Sequence, residues 1–230
     1  MPTSKLLSEL RRELKKAAVP AKAPEMQAYM KSKMPYHGVQ TPMRRLICKQ
    51  LFKNVEFKNA REWETEVRAI WEGARFREER YCALQLCSHK SADEFQTPKA
   101  LKLYEDLIVD GAWWDYVDTL AADRVGNLLE RYPADIKPLM LQWSRSADMW
   151  KRRTSIICQL GFGLKTDLKL LYACIEPSLG SKEFFLQKAI GWAIRQYAWK
   201  DPKEVKRYVA QNEDRLAPLS RREALKNLNR

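Results

Sequence analysis

The sequence predicts an all-α protein, an α-α superhelix (solenoid) built of helical repeats of the HEAT or TPR kind. Three observations predict this fold. Apolar residues recur at helical spacing along nearly all of the 230 residues. Glycine is scarce, at 8 residues, which argues against sandwiches, barrels and glycine-rich nucleotide loops that need many tight turns. Four segments also resemble one another at a spacing of roughly 35 residues, which is typical of two-helix repeats.

The first element is an amphipathic helix near the N-terminus. Its leucines recur at helical spacing, and charged residues run through the same stretch, so it does not resemble a secretory signal. A second helix with the same periodicity follows in the forties. The apolar positions are Leu6, Leu7, Leu10 and Leu14 in the first helix, and Leu46, Ile47, Leu51 and Phe52 in the second.

Proline marks several of the following helix starts, because its fixed φ suits the first helical position. Three such starts and three short breaks together predict about a dozen helices joined by short loops. The starts are Thr41-Pro42, Thr97-Pro98 and Asp201-Pro202, and the breaks are residues 35–38, 132–135 and 177–180.

The repeats align on a residue that closes a short loop and opens a helix. These anchors are Gly73, Gly111, Ser146 and Gly180. Trp71 and Trp143 occupy matching places just before two of them. The pattern predicts one repeat domain over residues 1–230, with capping helices at 4–34, repeats at about 41–200 and a C-terminal cap at 201–230.

One row of polar residues follows from this alignment. Seven residues beyond the anchors stand Arg80, Asp118, Arg153 and Gln187, with Lys188 next to the last. If the repeats are equivalent, these side chains line the layer of second helices, which usually forms the concave face of a solenoid. A single acid would then lie among bases on a surface suited to phosphates.

The charge balance favours a polyanionic partner. Lys and Arg number 42 and Asp and Glu 29, a net charge of +13. No apolar run approaches the roughly 20 residues that span a bilayer. An odd count of 5 cysteines without a signal peptide indicates free thiols in a reducing compartment, and therefore an intracellular protein, cytoplasmic or associated with a bacterial nucleoid, that is not secreted.

Two helices carry candidate chemistry. Trp114 and Asp118 are four residues apart and share a helix face. Lys188, Trp192 and Arg195 recur at the same spacing on a later helix. Two simpler interpretations stay open: a tryptophan at helical spacing is often core, and Asp118 is equally compatible with a surface ion pair to Arg153 that contributes about 0–1 kcal/mol.

The sequence lacks the residues that nucleophilic, zinc and glycine-loop phosphate sites require. Only His37 and His89 are present, which leaves little for a histidine-activated nucleophile. Cys82, Cys87 and His89 lie close in sequence, but no second ligand pair follows, so no zinc site is expected. No phosphate-binding glycine motif occurs. We expect neither a metal nor a cofactor.

Five stretches resemble the AlkD-type alkylpurine DNA glycosylases, and they run through nearly the whole chain. The strongest is Trp113-Trp114-Asp115-Tyr116-Val117-Asp118, similar to a WWDxVD motif of that family. The others are residues 181–192, 38–42, 150–153 and 216–224. The resemblance implies an enzyme of HEAT-like helical repeats that binds duplex DNA on a basic concave face and hydrolyses the N-glycosidic bond of purines alkylated at N3 or N7, without metal and without extruding the base.

The resemblance also implies roles for individual residues. It assigns Asp118 as the catalytic carboxylate, Trp114 and Trp192 as aromatic platforms, and Arg153 as a supporting base. It places Tyr29 near the lesion. Further DNA contacts are expected from Gln40, Thr41, Lys188, Arg195, Arg221 and Arg222.

The prediction is therefore a monomeric DNA repair glycosylase acting on N3-alkyladenine and N7-alkylguanine. A purine alkylated at these positions is already cationic, so its departure needs no protonation by an acid. Two alternatives are a non-catalytic helical scaffold that binds nucleic acid or an acidic partner, and an enzyme directed to RNA. The sequence does not decide the preferred adduct, whether Trp113 faces core or DNA, or whether Arg153 contacts phosphate or orients Asp118.

Overall fold

The computed structural model describes residues 4–228, and every regular element in that range is helical, which confirms the all-α prediction. Residues 1–3 and 229–230, at the ends of the predicted domain and of its C-terminal cap, lie outside the described range. The chain forms two compact units, one ending at Gln96 and one beginning at Thr97. The α-helices of the first unit are α1 (Lys5–Lys16), α2 (Ala23–Tyr29), α3 (Thr41–Phe52), α4 (Ala60–Gly73) and α5 (Arg77–Cys87).

The second unit contains nine further α-helices among the described residues, joined by short loops and 3-10 turns. They are α6 (Leu101–Gly111), α7 (Trp114–Thr119), α8 (Gly126–Arg131), α9 (Pro133–Trp143), α10 (Met149–Ile157), α11 (Leu168–Ile175), α12 (Phe184–Ala198), α13 (Pro202–Gln211) and α14 (Pro218–Leu225). A π-helical segment, Leu120–Val125, joins α7 to α8.

Helix α1 is amphipathic, as its leucine spacing predicts. Leu7, Leu10 and Leu14 are fully buried, whereas Leu6 is only half-buried. The Ser4 side chain caps the helix by accepting a hydrogen bond from the Leu7 N–H at 3.0 Å. Each buried leucine contributes about 1.5–3 kcal/mol through removal of apolar surface from water.

Helix α3 differs from the prediction in two details. Its N-cap is Gln40, and Thr41 is the first helical residue, with no side-chain hydrogen bond at the cap. Ile47 and Phe52 are buried, but Leu46 is largely exposed. Leu46 precedes Ile47 by one residue, a rotation of about 100°, which carries it past the edge of the buried face.

The repeat anchors lie between the helices of each pair, but the prediction that each one closes a loop and opens a helix is wrong for Gly73 and Gly111. Gly73 ends α4, and Gly111 ends α6; Ser146 and Gly180 lie in the loops before α10 and α12. Each therefore separates the first helix of a pair from the second. Trp71 and Trp143, at matching places before two anchors, are both buried.

The second unit stacks its helix pairs in chain order. The second helices form one row, in which α7 packs on α10, α10 on α12 and α12 on α14. Among the first helices, α9 packs on α11, and Tyr172 of α11 stacks on Tyr208 of α13 with ring centroids 3.9 Å apart. Each helix is covered by its neighbours in the sequence, as in a helical-repeat array.

Helices α12 and α14 cross at close range at Gly191. A Cβ added to Gly191 would lie 2.5 Å from the Glu223 Cβ and 2.8 Å from the Ser220 carbonyl oxygen. Only glycine leaves room for the two backbones at this distance. The Ser220 hydroxyl also donates a hydrogen bond of 2.9 Å to the Gln187 carbonyl, which ties the helices together.

Within residues 4–228, none of the helices combines the length and the apolar composition that a membrane span requires. All five cysteines are buried and free of disulfides. Burial raises the pKa of the Cys158 thiol well above its usual range and that of Cys174 to about 12. These thiols therefore behave as small apolar core groups.

Candidate active site

The candidate site is built first on α7, which begins directly after a sharp turn. Ala112, the C-cap of α6, adopts the left-handed conformation with φ 39°, and Trp113 follows in an extended conformation as the N-cap of α7. Trp114 is the first helical residue and Asp118 the fifth, so their side chains share one face across one turn.

Asp118 is held by Arg153 of the neighbouring helix α10. The Arg153 Nε donates to Asp118 Oδ1 at 2.7 Å, and Nη2 donates to Oδ2 at 2.8 Å. A third donor, Nη1, binds the carbonyl oxygen of Phe185 at the start of α12. The guanidinium therefore connects three successive second helices through one planar group.

Arg153 and Asp118 differ in how far they are buried. Arg153 is 4% exposed, and three of its donor groups are engaged within the protein. The Asp118 side chain keeps 15% of its surface exposed. Arg153 is thus placed to position the carboxylate, whereas Asp118 retains access to a bound molecule.

In its environment the Asp118 carboxyl takes up a proton more readily than that of an ordinary aspartate. Burial raises the pKa of the Asp118 carboxyl, and the hydrogen bonds and charge of Arg153 oppose this only in part. The nearby charge of Asp115 adds a smaller upward effect. A raised pKa suits a carboxylate that accepts a proton from water during a reaction.

The backbone after Asp118 is irregular. The π-helical segment Leu120–Val125 begins two residues later, and π segments recur at functional sites. It ends at Gly126, where an added Cβ would lie 2.5 Å from the Cys158 carbonyl oxygen. Since Cys158 caps α10, this contact fixes the helix that continues from Asp118 against the helix that carries Arg153.

An aromatic cluster lies at the starts of α7, α10 and α12. The ring centroids of Trp113 and Phe185 are 5.5 Å apart, and those of Trp150 and Phe185 are 5.0 Å apart. Trp113 also contacts Trp150 at 6.3 Å. Trp113 and Trp150 therefore pack on each other beneath the helix starts, and the simpler interpretation of a core tryptophan holds for Trp150, which is buried.

Helix α12 carries the other predicted platform. Trp192 is half-buried, as is Trp114 on α7. Lys188 and Arg195, one turn to either side of Trp192, both pair with Glu223 of α14; the Lys188 Nζ lies 2.9 Å from Glu223 Oε1. One of these two positive charges is neutralised by the largely buried Glu223 carboxylate. The other leaves a net charge of +1 on this face of α12.

The two remaining cations that were predicted to contact DNA, Arg221 and Arg222, lie on α14. Arg221 pairs with Glu213, and Arg222 is exposed. The sequence did not indicate the role of Glu223, an acid that sits between Lys188 and Arg195. The only sequence signal was its place within the matched segment 216–224.

Three predicted contact residues belong to the first unit. Tyr29 is 75% exposed at the end of α2. Gln40 accepts a hydrogen bond of 2.9 Å from Lys22 Nζ, and Thr41 begins α3 with an exposed side chain.

The loop before Gln40 is held by a buried carboxylate that the sequence analysis missed. Glu78 is fully buried and accepts hydrogen bonds of 3.0–3.1 Å from the backbone N–H groups of His37, Gly38 and Val39. Gly38 adopts φ 82°, and an added Cβ would lie 2.1 Å from the Val19 carbonyl oxygen. Glu78 and Gly38 together fix the backbone that leads into α3.

Comparison with known proteins gives a consistent result. The family model described as DNA alkylation repair enzyme matches residues 10–228. A solved structure of a predicted DNA alkylation repair enzyme from Enterococcus faecalis is 28% identical in sequence, with a TM-score of 0.82. That match covers 92% of this chain and 96% of the other. No curated protein matches the sequence.

Proposed function

Because the chain belongs to the DNA alkylation repair enzyme family, we propose that it is a DNA glycosylase for cationic alkylated purines in duplex DNA. Its substrates are N3-alkyladenine and N7-alkylguanine, and its products are the free alkylated base and an abasic site. The observation that carries the proposal is the Asp118 carboxylate, clamped by Arg153 and still partly open to solvent.

The chemistry follows from the charge that the substrate already carries. As the N-glycosidic bond breaks, its electron pair moves to the base and neutralises the alkylated purine. The sugar then carries positive charge at C1′, next to the ring oxygen. The fixed Asp118 carboxylate stabilises this charge electrostatically, without reorganising as the charge develops.

Water completes the reaction. A water molecule adds to C1′ and loses one proton, which Asp118 accepts as general base. No group needs to protonate the leaving base. The indole faces of Trp114 and Trp192 attract the cationic nucleotide, and each contact contributes roughly 0.5–2 kcal/mol.

Arg153 acts in this proposal as a positioning residue. Its bidentate contact fixes both carboxylate oxygens of Asp118, and its third bond ties that geometry to α12, the helix of Trp192. Discrimination between bases comes from the charge and lability of the adduct, so neutral damaged bases are poor substrates. The protein acts as a monomer in the compartment that holds the DNA.

The test is incubation of the protein with duplexes that carry a single N7-methylguanine or a single uracil. Alkali then cleaves the strand wherever an abasic site has formed. We expect cleavage of the N7-methylguanine duplex and far less of the uracil duplex. Binding of both duplexes without cleavage of either supports a non-catalytic scaffold instead, and comparable cleavage of both contradicts selection by charge.

A further inference from the structure

A large apolar side chain is left open to solvent at the end of α12. Trp199 directly follows the helix and is 69% exposed, although tryptophan loses more than any other side chain by facing water. Leu164, in the loop after α10, is 76% exposed. Contiguous exposed apolar groups on a protein surface mark interaction sites.

Trp199 lies on the same face of α12 as Trp192. The two are seven residues apart, which is two helical turns and a rise of roughly 10 Å. Trp199 still has helical φ and ψ, so the register continues to it. Ala193 and Ile194 point to the opposite, buried side of the helix.

The surroundings of Trp199 are basic. Lys200 and Lys203 follow it and are exposed, while the carboxylate of Asp201 is occupied as the cap of α13, where it accepts from the Glu204 N–H at 2.9 Å. A Cβ added to Gly163 would lie 3.2 Å from the Lys200 Cε, which places the loop of Leu164 beside this corner. We call Leu164, Trp199 and Lys200 the Trp199 patch.

We propose that the Trp199 patch binds the same duplex DNA that faces Trp192. The proposal rests on the proposed function, since it extends the same DNA-binding face. The separation of roughly 10 Å along α12 is only about three times the spacing of 3.4 Å between nucleotides on a strand, so one duplex is long enough to contact both residues. The indole packs on the apolar surface of a nucleotide while Lys200 meets the phosphate.

A protein partner fits the patch less well. Stable protein interfaces bury roughly 800 Å² on each partner, whereas one tryptophan supplies about 150–250 Å². Two apolar side chains, with the exposed Lys200 and Lys203 next in sequence, are too few for such an interface. They suit a polyanion with a regularly spaced, partly apolar backbone.

The test measures the affinity of Trp199→Ala for an undamaged duplex by fluorescence anisotropy. We expect the Kd to rise by about 5-fold, the lower end of the effect of removing an aromatic contact to a single-stranded base, because the bases of a duplex are already stacked on one another. Trp199→Phe should keep most of the affinity. The slope of log affinity against log salt stays unchanged because no charge is removed. Val109→Ala removes another exposed apolar side chain, 43% exposed on α6, and is the matched control expected to have no effect.

A second measurement locates the contact. Duplexes with a central N7-methylguanine are shortened step by step from either end, and the ratio of the two Kd values (Trp199→Ala over wild type) falls to one when the base pairs under Trp199 are removed. An unchanged Kd for Trp199→Ala on the long duplex overturns the proposal. So does loss of self-association without loss of DNA affinity, which assigns the patch to a second copy of the chain. Affinity for undamaged DNA requires no excision, so this proposal and the glycosylase proposal fail independently.

Discussion

At the scale of single residues, the ion pair of Asp118 and Arg153 determines what the candidate site can do. Both carboxylate oxygens are bound to one guanidinium at 2.7 and 2.8 Å. Lysine offers one ammonium in place of the planar fork, so it cannot hold both oxygens in the same way. Arginine at position 153 therefore fixes the orientation of the Asp118 carboxylate as well as supplying a positive charge beside it.

Replacing Arg153 by lysine is expected to shift the pH dependence of excision. In the proposed mechanism the carboxylate is the active form, so we expect excision to be lost as the pH falls through the pKa of Asp118, which already lies above its ordinary value. Weaker contact raises that pKa further and moves the acidic limb of the rate profile to higher pH. Arg152→Lys, the same change at the adjacent residue, is the control and leaves the limb in place.

Removal of the guanidinium altogether has a second consequence. Arg153→Ala leaves Asp118 largely buried without its partner, which costs about 3–5 kcal/mol of unfolding free energy. Urea denaturation measures this loss. A loss below about 1 kcal/mol would mean that the pair behaves as an exposed one, and it would weaken the assignment of Arg153 as a positioning residue.

A second buried acid, Glu79, leads to a separate prediction about how stability depends on pH. Burial alone raises the pKa of Glu79, but the nearby His37 imidazole, 3.9 Å from the carboxylate, and the hydrogen bonds of Arg11 and the Arg75 backbone N–H outweigh this effect and lower it to about 2. A depressed folded-state pKa contributes stability above the unfolded value of about 4.5, and the contribution is lost as the pH falls from there toward 2.

The expected contribution of Glu79 to the free energy of unfolding is about 3 kcal/mol, since its pKa falls from 4.5 to about 2 and one pKa unit corresponds to about 1.4 kcal/mol. Glu79→Gln should reduce the pH dependence of unfolding between pH 4.5 and 2 by about that amount; the lowered pKa values of Asp167, Glu204 and Glu223 account for part of what is left. Glu72→Gln, a matched change at an exposed acid of α4, should retain the full pH dependence. Equal slopes for the two variants would refute this assignment.

Some residue-scale features were accessible from the sequence and others were not. The repeat register placed Asp118 and Arg153 in adjacent positions, and the structure joins them. It also placed Gln187 in the same row, yet Gln187 donates to the Ser181 carbonyl at 2.8 Å. The carboxylates of Glu78 and Glu223 were missed because a charged residue on a helix usually faces solvent, and only the fold shows which neighbours bury it.

At the scale of elements, the crossing of α12 and α14 fixes the helix that carries Trp192. Gly191 permits this crossing, because any side chain there strikes Glu223 and Ser220. We expect Gly191→Ala to destabilise the protein by about 1–3 kcal/mol through overpacking. Gly161→Ala is the matched control, since nothing lies within 4 Å of a Cβ at that position. Urea denaturation of both variants checks the prediction, and equal stability contradicts the packing argument.

Helix starts show how far local sequence signals extend. Asp201-Pro202 forms the predicted cap, in which the Asp201 carboxylate accepts from the Glu204 N–H. Thr41-Pro42 begins a helix one residue earlier than predicted, with Gln40 as the cap. The π-helical turn after Asp118 had no sequence signal. It is followed by Gly126, where an added Cβ would lie 2.5 Å from the Cys158 carbonyl oxygen, a close approach that only the fold shows.

At the scale of the whole molecule, the net charge of +13 predicts affinity for DNA that falls steeply with salt. The individual cations should contribute unequally. Arg222 is exposed, and Arg222→Gln should reduce the slope of log affinity against log salt by about one. Arg195→Gln should reduce the slope less, because Arg195 is already paired with Glu223. Anisotropy titrations at several salt concentrations measure both, and a larger slope change for Arg195→Gln would contradict this ranking.

The fold and its repeat order were predictable because helical periodicity, proline and loop anchors are local signals that recur in each unit. The division at Gln96 was not predicted, and the single repeat domain over residues 1–230 stays a prediction. The sequence carries no local signal for where packing between neighbouring helix pairs weakens.

The most direct test of the account is the single-turnover rate of N7-methylguanine excision from duplex DNA by Asp118→Asn. We expect a decrease of at least about 100-fold, the scale of a lost carboxylate that stabilises charge and accepts a proton. The Kd for undamaged duplex should change little, and Asp115→Asn on the same helix should keep the wild-type rate. Full excision by Asp118→Asn would contradict the account.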